Sequence, residues 1–71
     1  MLLKLWLKEA AEAKLNIYNV KGQLVHSREL KMQDKGFHSY IWDASKESSG
    51  VYFVVFESGK LRETRKITLS K

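Results

Sequence analysis

Two histidines and seven serines are the side chains of this chain best suited to chemistry. His26 and His38 are the only histidines, and the 71 residues contain no cysteine. A zinc site needs three or four convergent ligands, and Asp34 or Asp43 would have to supply the others. The spacing gives no reason to bring either aspartate to the imidazoles. We therefore expect a surface His26, a packed or hydrogen-bonded His38, and no metal site.

Hydrolytic chemistry would require a serine activated by a histidine and a carboxylate inside a rigid pocket. None of the serines lies in a G-x-S-x-G turn. The carboxylate pairs Glu9 with Glu12 and Asp43 with Glu47 fall in predicted loops. The four glycines, at positions 22, 36, 50 and 59, are isolated and form no phosphate-binding loop. We predict that the chain is not an enzyme and binds no cofactor.

A series of short β-strands must position these side chains. The first strand, over residues 2–7, alternates leucines at positions 3, 5 and 7, predicted to face inward, with Lys4 and Trp6. Residues 2–14 also have the composition and the apolar stripe of a helix, so both structures stay open there. The strict alternation favours the strand.

The remaining strands are predicted over residues 13–20, 23–30, 37–42, 51–56 and 61–69. Gly22 is expected to take a positive φ in the turn after the second strand. Residues 31–35 are polar and predict a loop, and residues 57–60 predict a hairpin turn. Residues 37–42 carry large side chains on both faces, which predicts a strand that is central or covered on both sides.

These strands predict an all-β fold, a small antiparallel immunoglobulin-like β-sandwich of about six to seven short strands. Residues 1–71 suffice for a single domain and are fewer than the roughly 100 residues of a full immunoglobulin domain. We therefore expect about three strands in each sheet. Trp42 is expected to anchor the core, and Asp43 to cap the turn that follows it.

The net charge of +5 is concentrated at the end of the chain. Residues 60–71 contain five basic side chains against Glu63 alone. A solvated edge strand blunted by lysines accounts for this, and we favour it over a nucleic-acid site. The apolar stretch over residues 2–7 is too short for a signal-peptide core or a membrane span. We expect no nucleic-acid partner and no membrane insertion.

Five short motifs occur in a characteristic order along the chain. They are Ile17-Tyr18-Asn19 with Gly22 and Val25, Gly36-Phe37-His38, Trp42-Asp43, Ser49-Gly50-Val51-Tyr52-Phe53, and Arg65-Lys66-Ile67 with Leu69 and Lys71. In this order they resemble the C-terminal sorting domain of proteins exported by the type IX secretion system. They also resemble a related Ig-like domain of flagellar hook-capping proteins. Lys8 stands where the type IX family usually has a proline.

The resemblance to the sorting domain implies a non-catalytic C-terminal secretion signal of a larger protein. Such a module is recognised by the export machinery and travels through the periplasm to the cell surface or the medium. In many clients it is then cleaved from its cargo. The alternative is a structural Ig-like module, a spacer or assembly unit of an extracellular or flagellar protein.

The predicted protein-binding residues are Arg65, Lys66, Ile67, Leu69 and Lys71 of the last strand, together with Trp6. We expect the free edge of the last strand to pair with a receptor by strand addition. Trp6 is predicted either to point outward as a contact for a partner or a second copy, or to fold over the rim of the sandwich. The sheet edges also permit a homodimer through edge pairing or strand exchange.

Overall fold

The structure is a computed structural model that describes residues 2–59 and 61–70, and it consists of β-strands joined by short connections. The six strands are β1 (Leu2–Leu7), β2 (Ala11–Asn19), β3 (Leu24–Gln33), β4 (Gly36–Ile41), β5 (Gly50–Ser58) and β6 (Leu61–Leu69). The predicted all-β, immunoglobulin-like sandwich is confirmed, and residues 2–7 form a strand. Lys60 of the predicted hairpin turn and Lys71 of the predicted contact surface lie outside the described residues.

The strands form two antiparallel sheets of unequal size. One contains β1 and β4, and the other has the order β3-β2-β5-β6. The expectation of three strands per sheet is therefore wrong, and β4 is neither central nor covered on both sides. The physical reason is that β2 and β5 form the centre of the larger sheet, each flanked by its own hairpin partner. Of the described strands, only β1 pairs with β4.

The hairpin of β2 and β3 is longer than predicted. Ala11 pairs with Gln33, so the expected loop over residues 31–35 is wrong for its first three residues. Main-chain pairing with β2 holds these polar residues in the sheet, which local sequence preference does not reveal. At the other end of the hairpin, Gly22 has a φ of +81°, as predicted. The side chain of Asn19 closes this turn by accepting hydrogen bonds from two main-chain N–H groups.

The core lies between the two sheets. The alternating leucines of β1 point into it, as expected, and Leu7 is fully buried with Ile17 and Trp42. Trp42 follows β4 and meets Tyr52 of β5 edge to face, with ring centroids 5.4 Å apart. Burial of a large apolar side chain contributes about 1.5–3 kcal/mol. The predicted roles of Trp42 as a core anchor and of Asp43 as a turn cap are confirmed, since Asp43 accepts from the Ser45 N–H.

Polar contacts join the sheets at both sides of the sandwich. On one side, Nε2 of His26 in β3 lies 2.7 Å from the hydroxyl of Tyr40 in β4. The Arg28 guanidinium lies over the Tyr40 ring, 5.1 Å from its centroid. On the other side, Arg65 of β6 donates to the main-chain carbonyl of Lys4 in β1. The prediction of a surface His26 is wrong, because β3 turns this half-buried side chain toward β4.

Candidate functional site

The residues predicted to form a contact surface on β6 lie on two different faces of that strand. Lys66 is exposed on the outer face, opposite Phe53 of β5. Ile67 and Leu69 point inward and pack with the core. Arg65 also lies on the inward side, at the rim beside β1. A partner that approached β6 from outside would therefore meet Lys66 and the main chain, but not the two apolar side chains.

The position of β6 at the edge of its sheet provides the geometry that strand addition requires. In the order β3-β2-β5-β6, this strand has β5 on one side and, among the described strands, no strand of the same sheet on the other. An edge strand presents unpaired main-chain N–H and C=O groups to a partner. Strand addition at β6 itself stays a prediction.

Two of the basic side chains of β6 lie close to carboxylates, so this strand is less positive than its composition indicates. Arg62 lies 3.8 Å from a carboxylate oxygen of Glu57, and Arg65 lies 2.9 Å from one of Glu63. Among the described residues, Lys66 has no carboxylate within 4 Å. The basic end of the chain is therefore partly neutralised by carboxylates on its own sheet. This arrangement weakens the continuous positive field that a nucleic-acid surface would need.

The outer face of the four-stranded sheet carries alternating charges across its strands. Lys14 of β2 lies between Glu29 of β3 and Glu57 of β5, and Arg62 of β6 is opposite Glu57. Cross-strand pairs of opposite sign stabilise a sheet modestly and keep its surface hydrated. The same face also carries apolar side chains, since Val55 and Phe53 of β5 and Tyr18 of β2 lie in phase with these charged residues.

The two-stranded sheet has an outer face of its own, which we call the β1/β4 outer face. It consists of three cross-strand pairs, Leu2 with Ile41, Lys4 with Ser39, and Trp6 with Phe37. The exposed fractions are 55% for Leu2, 74% for Ile41, 44% for Trp6 and 80% for Phe37. Four large apolar side chains are thus exposed together on one narrow surface.

Trp6 occupies the first of the two positions predicted for it. It points outward and lies against Phe37, with ring centroids 4.5 Å apart and a tilt of 56°. The sequence did not predict the neighbours of Trp6 on this face, because Phe37 and Ile41 were expected to lie in a covered strand. Alternation does place Phe37 and Ile41 on one face of β4. Only the pairing of β4 with β1 shows that this face lies beside Trp6.

The side chains considered for chemistry are held apart by the fold. His26 faces Tyr40, and a ring nitrogen of His38 lies 2.5 Å from the main-chain carbonyl of Asp34. Within residues 2–59 and 61–70, no group of three or more potential metal ligands converges.

A cavity of about 240 Å³ lies between the sheets, lined mainly by apolar side chains including Leu3, Leu5 and Ile67. No helix in the described part of the chain has the length and hydropathy needed to cross a membrane.

Two antiparallel sheets enclosing an apolar core define an immunoglobulin-like β-sandwich domain. A family model, that of the FlgD Ig-like domain, matches residues 2–59. This match spans most of the chain, and the protein belongs to the FlgD Ig-like domain family. The match runs from β1 to β5, and β6 follows it. A search of curated proteins and a search of solved structures each found no match.

The family match confirms the resemblance to the Ig-like domain of flagellar hook-capping proteins. The resemblance to the type IX sorting domain stays a prediction.

Proposed function

We propose that this domain is a non-catalytic structural Ig-like module, a spacer or assembly unit of an extracellular or flagellar protein. The observation that carries the proposal is the apolar outer face of the two-stranded sheet. Trp6, Phe37 and Ile41 are exposed together there, although the outer face of an antiparallel sheet is ordinarily polar. A domain with such a face is suited to lie against another protein.

Membership of the FlgD Ig-like domain family supports this proposal, because it relates the chain to a protein module and not to an enzyme family. The placement of the histidines agrees with it. His26 and Tyr40 join the two sheets, so the side chain best suited to acid–base chemistry has a structural partner. The domain then functions through its surfaces, and its interior supplies stability.

In-frame deletion of residues 2–70 in the source bacterium tests the structural role. We expect loss or shortening of a flagellar or cell-surface assembly, seen by electron microscopy, and restoration by the wild-type segment. The matched control is a chain with Lys14→Gln, a charge change on the outer face of the other sheet that should leave the assembly intact. Assemblies of normal appearance and composition after the deletion would overturn the proposal.

A second candidate function is the C-terminal sorting module of the type IX system. The order of the five motifs supports it, as does the position of β6 at a sheet edge with Lys66 exposed. In this proposal the export machinery pairs with the free edge of β6. Arg65 and Ile67 keep the strand in place, and Lys66 is the side chain that the partner meets.

Fusion of the chain to the C-terminus of a periplasm-directed fluorescent protein tests the sorting role, in a bacterium that has the type IX machinery. Sorting predicts fluorescence outside the cell that depends on the machinery and falls with Lys66→Glu. Lys14→Gln, on the same sheet face but two strands away, should leave export unchanged. Retention of a folded wild-type fusion in the periplasm would exclude sorting and leave the structural proposal standing.

A further inference from the structure

We infer that the β1/β4 outer face docks a protein segment that places a carboxylate between apolar side chains, with the carboxylate opposite Lys4. The inference rests on the proposed structural function and specifies the kind of partner that this function requires. Its basis is the shape, the exposed area and the charge of one face.

The shape of the face is set by the register of β1 and β4. The pair Lys4–Ser39 lies in the middle, flanked by Leu2–Ile41 on one side and Trp6–Phe37 on the other. Residues two apart along a strand are separated by about 7 Å. The face is thus an apolar strip about 14 Å long, with one ammonium group at its centre. An extended segment with side chains at the same spacing fits such a strip.

The exposed area is large for a domain of this size. A buried Phe or Trp covers about 150–250 Å², so the exposed parts of Trp6 and Phe37 together amount to roughly 250 Å². Leu2 and Ile41 extend this area on the far side of Lys4. The largest apolar patch on a monomer is typically about 300–600 Å² and is often functional. An outer strand face of an antiparallel sheet is ordinarily polar, so this face has the character of a contact surface.

The charge of the face identifies the complementary chemistry. Strands β1 and β4 contain no aspartate or glutamate, and among the residues of these two strands Lys4 is the only charged side chain on this face. Within the described residues, no carboxylate lies within 4 Å of its ammonium group. A partner that covers the apolar side chains also removes water from Lys4, and an unpaired buried charge is strongly unfavourable. A negative group on the partner offsets this cost with a charge-assisted hydrogen bond, and a carboxylate at the centre of an apolar segment supplies it.

A second copy of the chain fits this face poorly. A two-fold axis through the centre of the strip would bring the two Lys4 ammonium groups together, and opposed like charges are unfavourable across an interface. The strip is also smaller than the roughly 800 Å² that each partner buries in a stable complex. The edge-mediated homodimer stays a separate prediction, since it uses main-chain pairing and not this face.

Selection from a random peptide library displayed on phage tests the inference with the purified chain. The wild type should enrich peptides in which Asp or Glu has apolar residues two positions to either side. Lys4→Glu should enrich Lys or Arg at that central position, and should bind the wild-type peptides about tenfold more weakly or worse. Amide shifts measured by NMR should map these peptides to β1 and β4.

Two further variants make the selection decisive. Lys14→Gln, on the outer face of the other sheet, should select the same peptides as the wild type. Phe37→Ser should lose enrichment while its NMR spectrum stays that of a folded sandwich. The absence of enrichment, peptides unaffected by Lys4→Glu, or binding mapped elsewhere would each overturn the inference. So would a dimer, detected by sedimentation, that Phe37→Ser abolishes.

The two proposals fail in distinguishable ways. If peptide selection fails while deletion of residues 2–70 still disrupts an assembly, the domain is structural but uses another surface. If the deletion has no effect, the structural function is wrong, whatever the β1/β4 outer face binds in vitro.

Discussion

Arg65 in β6 donates a hydrogen bond from Nη1 to the main-chain carbonyl of Lys4 in β1, across 2.8 Å and 61 positions of sequence. The same guanidinium contacts Glu63, with Nη2 2.9 Å and Nε 3.0 Å from Oε1. A guanidinium has five N–H donors in one plane, so it can serve the carboxylate and the carbonyl together. A residue that composition marks as part of a basic surface therefore fastens one sheet to the other.

Replacement of Arg65 by Met should lower the free energy of unfolding by about 0.5–1.5 kcal/mol. The change removes a hydrogen bond between sheets and a partly exposed ion pair. Arg62→Met is the matched control, because Arg62 lies on the outer face of the same strand, β6, and its Nε is 3.8 Å from a carboxylate oxygen of Glu57 in β5. Its effect should stay below about 0.5 kcal/mol. Urea unfolding measures both, and equal losses would show that the contact with Lys4 contributes nothing.

Tyr52→Phe should lower the free energy of unfolding by about 1 kcal/mol. The Tyr52 hydroxyl donates to the main-chain carbonyl of Ser48 at 2.6 Å, and the variant leaves that carbonyl without its donor. The ring itself can keep its edge-to-face contact with Trp42. Tyr18→Phe provides the comparison, since no described residue hydrogen-bonds the Tyr18 hydroxyl, and little change is expected. Thermal unfolding followed by circular dichroism gives both values; indistinguishable variants would contradict the prediction.

Trp42→Ala should lower stability by about 3–5 kcal/mol, because it opens a cavity between the sheets. A domain of this length has a total stability of roughly 4–10 kcal/mol, so the variant should be marginal or unfolded at room temperature. Ile41→Ala, one residue earlier on the exposed face, should cost less than about 1 kcal/mol. Urea titrations of the two variants test this contrast. A mild Trp42→Ala phenotype would indicate a core that repacks.

Gly22→Ala should lower the free energy of unfolding by about 1 kcal/mol, and the backbone conformation of this residue is the only cause. Gly22 has a φ of +81°, a region that disfavours residues with a Cβ. No atom lies within 4 Å of the position that a Cβ would occupy, so crowding contributes nothing. Gly22→Asn should cost less, because asparagine tolerates positive φ. If the two variants have the same unfolding free energy, strain at this turn does not contribute to stability.

Much of the fold followed from local patterns in the sequence. The alternation of leucines with Lys4 and Trp6 predicted β1 and its inward face, and the apolar run over residues 51–56 predicted β5. These predictions succeeded because the two-residue period of a strand is a property of the strand itself. Gly22 marked its turn because φ preference is equally local. The Ig-like class followed from the number and the spacing of such elements.

The pairing of strands was decided only by the tertiary structure. Similar inward faces recur on several strands, and nothing local in the sequence distinguishes a sheet of three strands from sheets of two and four. The extension of β3 to Gln33 depends on Ala11, more than twenty residues away. The half-buried position of His26 likewise depends on Tyr40, which belongs to the other sheet.

The candidate site likewise combines features set by the local sequence with features set only by the tertiary structure. The sequence by itself placed Trp6 on the face of β1 opposite the leucines, because alternation fixes the face of a side chain within its own strand, and left open whether its ring points outward or folds over the rim. It could not place Phe37 beside Trp6 or Ile41 beside Leu2, since those contacts arise from the antiparallel register of β1 and β4. Register is a long-range property, set by how the strands close over a shared core. The apolar strip around Lys4 therefore exists only in the folded chain.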